Sequence, residues 1–195
     1  MLVDILRHGE VERPGRFYGS TDVALSDRGV WQMEAATRGG AWDTIYSSPL
    51  QRCAGFARRL SERSGLPLTL DSRLAEIGFG AWEGRSAEEI MVSEPGVLEG
   101  YWTDPSAHAP EDAEPVSSLY RRVVEAITEI TGARQEGHLL LITHGGVIRS
   151  LLAWTLRMPL SALLQIEVAE GATSRIRIPA SGRPSLVFHD GGALC

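Results

Sequence analysis

Leu2-Val3-Asp4-Ile5-Leu6, followed at once by Arg7-His8-Gly9-Glu10, opens the chain. An apolar run of this length bounded by polar residues reads as a buried strand, and the residues after it emerge together at the strand's carboxyl end. Open α/β folds place their ligands at that end of the sheet. A second stretch has the same form: Leu139-Leu140-Leu141-Ile142-Thr143 predicts another strand, which delivers His144-Gly145-Gly146. Two strands ending in histidine and glycine bring the imidazoles to one sheet edge, and the expectation is that His8 and His144 meet over one phosphate.

Between and beyond these strands the pattern alternates. Glu12 to Asp27 has no helical periodicity and reads as a long loop, a class that is usually functional in compact domains. Val30, Met33 and Ala36 recur at helical spacing behind Ser26 or Asp27 as cap, with Gly39-Gly40 as the stop. Thr44 to Tyr46 predicts a short strand. Ser48 as cap and Pro49 in the first helical position predict a helix with Leu50, Cys53, Ala57 and Leu60 on its apolar face, closed by Gly65. Leu66 to Leu70 predicts a third strand.

Arg73 to Gly84 is rich in glycine and aromatics, Ser86 starts a short helix, and Ser93 to Pro115 reads as an irregular excursion walling the site. Its Tyr101 and Trp102 either pack on the core or stack on a flat ligand. Val116 to Thr131 is helical, as is the stretch through Val147, Ile148, Leu151, Leu152 and Thr155. Leu163 to Val168, Ser174 to Ile178 and Ser185 to Phe188 predict late alternating strands. Strands alternating with helices predict an α/β protein, a three-layer α/β/α sandwich whose central sheet is mostly parallel with one antiparallel element. The whole of 1–195 is expected to form a single domain, long enough to bury about 70% of its unfolded surface.

A net charge of −6 with no basic stripe argues against nucleic acid and membrane surfaces as partners. Cys53 and Cys195 form no framework and no metal spacing, and Cys53 reads as a small buried hydrophobe. No apolar run reaches the ~18 residues that span a bilayer, and the chain starts directly on a strand, so a cytoplasmic location is expected.

Arg-His-Gly at a strand end suits phosphoryl transfer to histidine. A neutral imidazole is nucleophilic near pH 7 without a separate base, Arg7 offers a charged planar fork to phosphate oxygens, and Gly9 lets phosphate approach the backbone. Arg52 sits in the first turn of its predicted helix, where its charge opposes the helix dipole unless an anion lies nearby. A leaving alkoxide needs a proton, and Glu76, Glu10 and Glu83 are placed to give one. Phe79 and Trp82 could keep Glu76 dry, while Glu10 could instead hold Arg7, and Glu83 a substrate hydroxyl. A metal is the rival constellation for His8, His144, Glu10 and Asp4, but HxH and HExxH spacings are missing and the arginines would repel a cation.

Four segments together, Leu6 to Glu10, Ser47 to Arg52, Leu74 to Gly84 and Thr143 to Gly146, resemble the signature segments of the histidine phosphatase superfamily, in its phosphoglycerate mutase-like branch. The resemblance implies an α/β/α fold, a small phosphomonoester substrate, a phosphohistidine intermediate, and neither metal nor cofactor. It implies His8 as nucleophile and Glu76 as proton donor, then base for water. Arg7, Arg52 and His144 would hold the phosphoryl oxygens with Gly145 beside them. Ser20, Trp82 and Glu83 are the candidate substrate-binding residues. Val11 stands where many members have threonine, and Gly146 stands where phosphoglycerate mutases usually have asparagine, which favours phosphatase over mutase. Gly19 to Ser26, Ser48 to Ala57 and Phe79 to Ser86 look most like the α-ribazole phosphatases of cobalamin biosynthesis, which remove the 5′-phosphate of α-ribazole phosphate or its cobamide form. A broad-specificity sugar-phosphate phosphatase or a phosphoglycerate mutase-like enzyme is the alternative, a phospholigand-binding or scaffolding protein that has lost catalysis is the reading from a different class, and a homodimer is left open.

Overall fold

The computed structural model describes residues 1–133 and 136–191, so that Cys195 lies outside the described residues. β1 (Leu2–Arg7) is the strand predicted from the opening run, and its residues 3–6 are buried. It pairs in parallel with β4 (His138–Thr143), which pairs in parallel with β2 (Thr44–Ser47), which pairs in parallel with β3 (Leu68–Leu70). β5 (Thr173–Arg177) runs against β1 on the other side, and β6 (Ser185–Gly191) against β5. The sheet order is β3-β2-β4-β1-β5-β6, a mostly parallel sheet in which β5 is the reversed strand.

Side chains alternate across a strand, which divides the core in two. Val3 and Ile5 of β1 and Leu139 and Leu141 of β4 pack with α5 (Val116–Gly132) and α6 (Gly145–Leu156). Leu6, Leu140 and Ile142 point the other way, onto α1 (Asp27–Ala36) and α2 (Gln51–Ser64) through Met33, Cys53, Phe56 and Leu60. Helices thus cover both faces, giving the expected three layers. The chain leaves β1 toward one face and β4 toward the other, which opens a crevice at their carboxyl ends. Asp4, buried near the far end of β1, is held by Arg175, His138 and Trp42 and takes no part in that crevice.

Three expectations change. The excursion is not irregular throughout: α3 (Ala87–Ser93), with Ser86 and Glu89 forming a capping box, is followed by α4 (Pro95–Thr103). Leu98 and Tyr101 of α4, three residues apart, bury into a small cluster with Trp82 and Ile90, where Pro95, Gly96 and Gly100 had hidden the periodicity. Leu163 to Val168 is no strand; Leu160–Gln165 forms a 3-10 turn that sends Leu163 into the main core and Leu164 to the α4 cluster. α2 begins at Gln51, and instead of Ser48 its end is capped across the chain, the Gln51 N–H donating to Asp22 Oδ1 at 2.7 Å.

Candidate active site

Arg7 and Thr143 face each other in the β1–β4 ladder, so the next residue of each strand, His8 and His144, leaves the sheet side by side. Their rings are 5.2 Å apart at 64°, and both are buried. His8 Nδ1 lies 2.8 Å from Gly9 O. A carbonyl only accepts, so Nδ1 carries the hydrogen and Nε2 the lone pair. Burial first, then the charges of Arg7 and Arg52, push the His8 pKa down to about 3, which keeps the ring neutral at working pH.

His144 has the opposite tautomer. Arg52 Nε donates to its Nδ1 at 3.2 Å, so its Nε2–H donates to Ser48 Oγ at 2.7 Å. Burial, then Arg52 and His8, hold its pKa well below the ordinary histidine value.

On the open side of His8, Arg7 donates through Nη1 to Val168 O, while its Nε is buried with no hydrogen-bond partner among the described residues. A Cβ built on Gly145 would lie 3.0 Å from Arg149 Nη1, 3.8 Å from Arg7 Nε and 3.9 Å from Glu76 Oε2. The empty point above Gly145 is therefore bordered by two guanidinium groups and a carboxylate. Cationic groups converging beside an amino-terminal helix end make an anion site.

Glu76 is fixed at that same helix end: the Gly146 N–H donates to Oε1 and Oε2 at 3.1 and 3.2 Å, and the Ile77 N–H to Oε1 at 3.0 Å. Gly146 makes this approach possible, because a Cβ there would fall 2.4 Å from Glu76 Oε1. The obstacle is the end of a flexible side chain, so Gly146→Ala should leave the thermal midpoint within a few degrees of wild type. Steady-state kinetics should show kcat reduced by about tenfold or more, since a misplaced catalytic group costs about 10²-fold per ångström.

The cavity in front of these groups has two parts. A volume of about 410 Å³ is bordered by Arg7, His8, Glu76, Gly145, Arg149 and Glu170. An adjoining volume of about 200 Å³ is lined by Phe17, Phe79, Tyr101, Trp102, Leu163 and Leu164, so both excursion aromatics face the site. Arg149 and Glu76 border both volumes, at their junction.

Several expected residues lie elsewhere. Arg52 is fully buried, its Nη groups donating to the carbonyls of Tyr18, Gly19 and Thr21 at 2.8–3.0 Å, so it stands behind the imidazoles rather than in the cavity wall. Trp82 is buried, its ring against Phe17 and Tyr101 and its Nε1–H aimed at Glu94. It supports the aromatic wall from behind and does not reach a ligand. The Ser20 hydroxyl and the Glu83 carboxylate bond to each other instead of facing the cavity. Glu10 accepts from Ser26 Oγ and lies 3.6 Å from Arg28, so it does not hold Arg7. Gly9 serves helix packing: a Cβ there would meet Gly29 O at 2.1 Å.

Sequence reasoning missed Arg149 and Phe17. Arg149 lies four residues, about one helical turn, beyond Gly145, and that spacing was a usable signal. Phe17 sits in an aperiodic loop that carried none.

A model of the histidine phosphatase superfamily, branch 1, matches residues 3–190. The chain belongs to this superfamily. It is 28% identical over 183 residues to the adenosylcobalamin/alpha-ribazole phosphatase of Salmonella typhimurium, covering 91% of each chain. It is 34% identical over 167 residues to the glucosyl-3-phosphoglycerate phosphatase of Mycolicibacterium vanbaalenii, covering 80% of this chain and 74% of that one. The structure of YhfR from Bacillus stearothermophilus superimposes with a TM-score of 0.89 at 25% identity, over 96% of this chain and 95% of the other. This histidine phosphatase is thus a hydrolase of small phosphorylated substrates, and among its described residues no helix is long and apolar enough to cross a membrane.

Proposed function

We propose that the protein hydrolyses a phosphomonoester by double displacement on His8. The observation that carries this is a neutral imidazole whose Nε2 lone pair, like the buried Arg7 Nε beside it, has no hydrogen-bond partner among the described residues. His8 Nε2 attacks phosphorus, the phosphorus–oxygen ester bond breaks, and Glu76 gives its proton to the leaving alkoxide. Glu76 then takes a proton from water as that water attacks phosphorus. The nitrogen–phosphorus bond breaks, and inorganic phosphate leaves with His8 neutral again. The His8 Nδ1–H stays on Gly9 O throughout and holds the ring's orientation. Arg7 takes the phosphoryl oxygens above Gly145, while Arg52 supplies positive charge from behind and the neutral His144, its two ring nitrogens held by Arg52 and Ser48, packs against the His8 ring.

For the substrate we favour α-ribazole 5′-phosphate or its cobamide form, which would place the protein in the cytoplasm in nucleotide-loop assembly. The support is the wall of Phe17, Phe79, Tyr101 and Trp102, which suits a flat apolar base. Hydrolysis of glucosyl-3-phosphoglycerate is the second reading. Arg149 favours it, since its Nη groups have no hydrogen-bond partner among the described residues and could take the carboxylate of a glycerate.

A kinetic panel of α-ribazole 5′-phosphate, glucosyl-3-phosphoglycerate and p-nitrophenyl phosphate separates the two. Trp102→Ala should raise KM for the ribazole ester by about tenfold, the worth of one stacking contact. The p-nitrophenyl ester, which does not extend as far, should change little. A kcat/KM for the glycerate ester equal to or above that for the ribazole ester would overturn the substrate assignment and leave the chemistry untouched.

A further inference from the structure

Glu83 faces away from the cavity, yet its carboxylate collects more donors than a surface residue needs. The backbone N–H groups of Gly19, Ser20 and Thr21 donate to it at 2.9–3.2 Å, the Phe79 N–H at 2.9 Å, and the Ser20 and Thr21 hydroxyls add two more bonds. Three consecutive amides turned toward one carboxylate leave their carbonyls directed elsewhere. The carbonyls of the first two of these peptide units, Tyr18 and Gly19, accept from the Arg52 guanidinium, as does the Thr21 carbonyl of the unit that follows the three. The loop is thus a layer of peptide dipoles between a negative and a positive charge, each favouring the orientation the other requires.

Arg52 has five N–H donors; Nε holds His144 and three more bonds hold the loop. The loop therefore fixes where the Arg52 charge sits, and Arg52 in turn fixes which nitrogen of His144 bears the hydrogen. We infer that Glu83 is a positioning residue for phosphoryl transfer, which sets Arg52 and His144 behind His8 through the Tyr18–Thr21 loop. Burial works against its charge, but the bonds from Thr21, Phe79 and Ser20 outweigh this and hold its carboxyl below the ordinary value. It is therefore ionised at neutral pH, the form with enough acceptor capacity for all these donors.

This inference rests on the phosphoryl chemistry proposed above, and a readout independent of turnover keeps the two apart. Glu83→Gln retains shape but replaces one acceptor oxygen by a donor. Amide hydrogen exchange at Gly19, Ser20 and Thr21 should accelerate by about tenfold or more as their acceptor is weakened. In the same variant, kcat/KM should fall by about tenfold. The factor should be the same for leaving groups with hydroxyls and for p-nitrophenyl phosphate, which has none. Orthovanadate, which probes the phosphoryl end alone, should bind more weakly by a similar factor.

A loss confined to hydroxyl-bearing substrates would show direct substrate contact and overturn the inference. Faster exchange with unchanged turnover and vanadate affinity would reduce Glu83 to a stabiliser of the loop and overturn it equally. If Glu83→Gln fails to fold, Thr21→Val removes one hydroxyl bond while keeping the three amide bonds, and should show the same uniform pattern at smaller amplitude. A wild type without a phosphorylated His8 would instead refute the proposed chemistry, whatever the exchange data show.

Discussion

Replacing His8 by alanine is expected to lower kcat by roughly 10⁴-fold or more, in the range seen when a nucleophile is removed from an enzyme whose remaining groups stay in place. Arg7, Arg149 and Glu76 do not depend on the imidazole for their positions: Arg7 is anchored on Val168 O, Arg149 on Ile166 O, and Glu76 on the Gly146 amide. Inorganic phosphate should therefore inhibit the variant's residual activity with a constant close to that of wild type. The pH dependence follows from the same geometry. Because the folded ring protonates only at about 3, far below the ordinary histidine value, the reactive neutral form persists as pH falls through 6.5. Pre-steady-state phosphorylation of wild type should show no histidine limb there; a limb centred near 6.5 would mean that His8 is solvated and not held as described.

Glu76→Gln is expected to have the second largest effect, and one that depends on the leaving group. The amide oxygen still accepts from Gly146, so the cradle survives, but no proton can be given or taken. For an alkyl phosphate kcat should drop by about 10²–10⁴-fold, the usual worth of general acid–base catalysis. With p-nitrophenyl phosphate the leaving phenolate needs no proton, so the first step should remain fast and only the attack of water should slow. Stopped-flow traces should show a burst of nitrophenol close to the enzyme concentration, followed by slow turnover. Equal loss on both substrates without a burst would remove Glu76 from both steps.

The central strands and their histidines were legible because they rest on local pattern. An apolar run that stops at Arg7-His8 has only one way to sit in a parallel sheet, and the same holds for Leu139 to His144. The partners of side chains that reach across the fold were not legible. Arg52 reads as an anion clamp from its place in a first helical turn, yet its donors meet carbonyls some thirty residues earlier, in a loop with no periodicity. Trp82 and Glu83 are adjacent in sequence and near the site, but one fills a cluster beneath the aromatic wall and the other ties down that loop. Leu163 and Leu164 show the limit of alternation as a strand signal, because two apolar neighbours can serve two different clusters from a 3-10 turn. What the sequence leaves open in each case is direction: which residues approach a site is written locally, but which way they point depends on contacts made far along the chain.

The claim on which the rest depends is that the phosphoryl group resides on His8 between the two half-reactions. Rapid acid-free quenching after mixing with a ³²P-labelled phosphomonoester, followed by peptide mapping, tests it directly. The account predicts label approaching one phosphoryl group per chain at short times, stable to alkali and lost in acid, on the peptide containing His8. Label on any other residue, or turnover of labelled substrate to phosphate with no protein-bound label at any time, would contradict it.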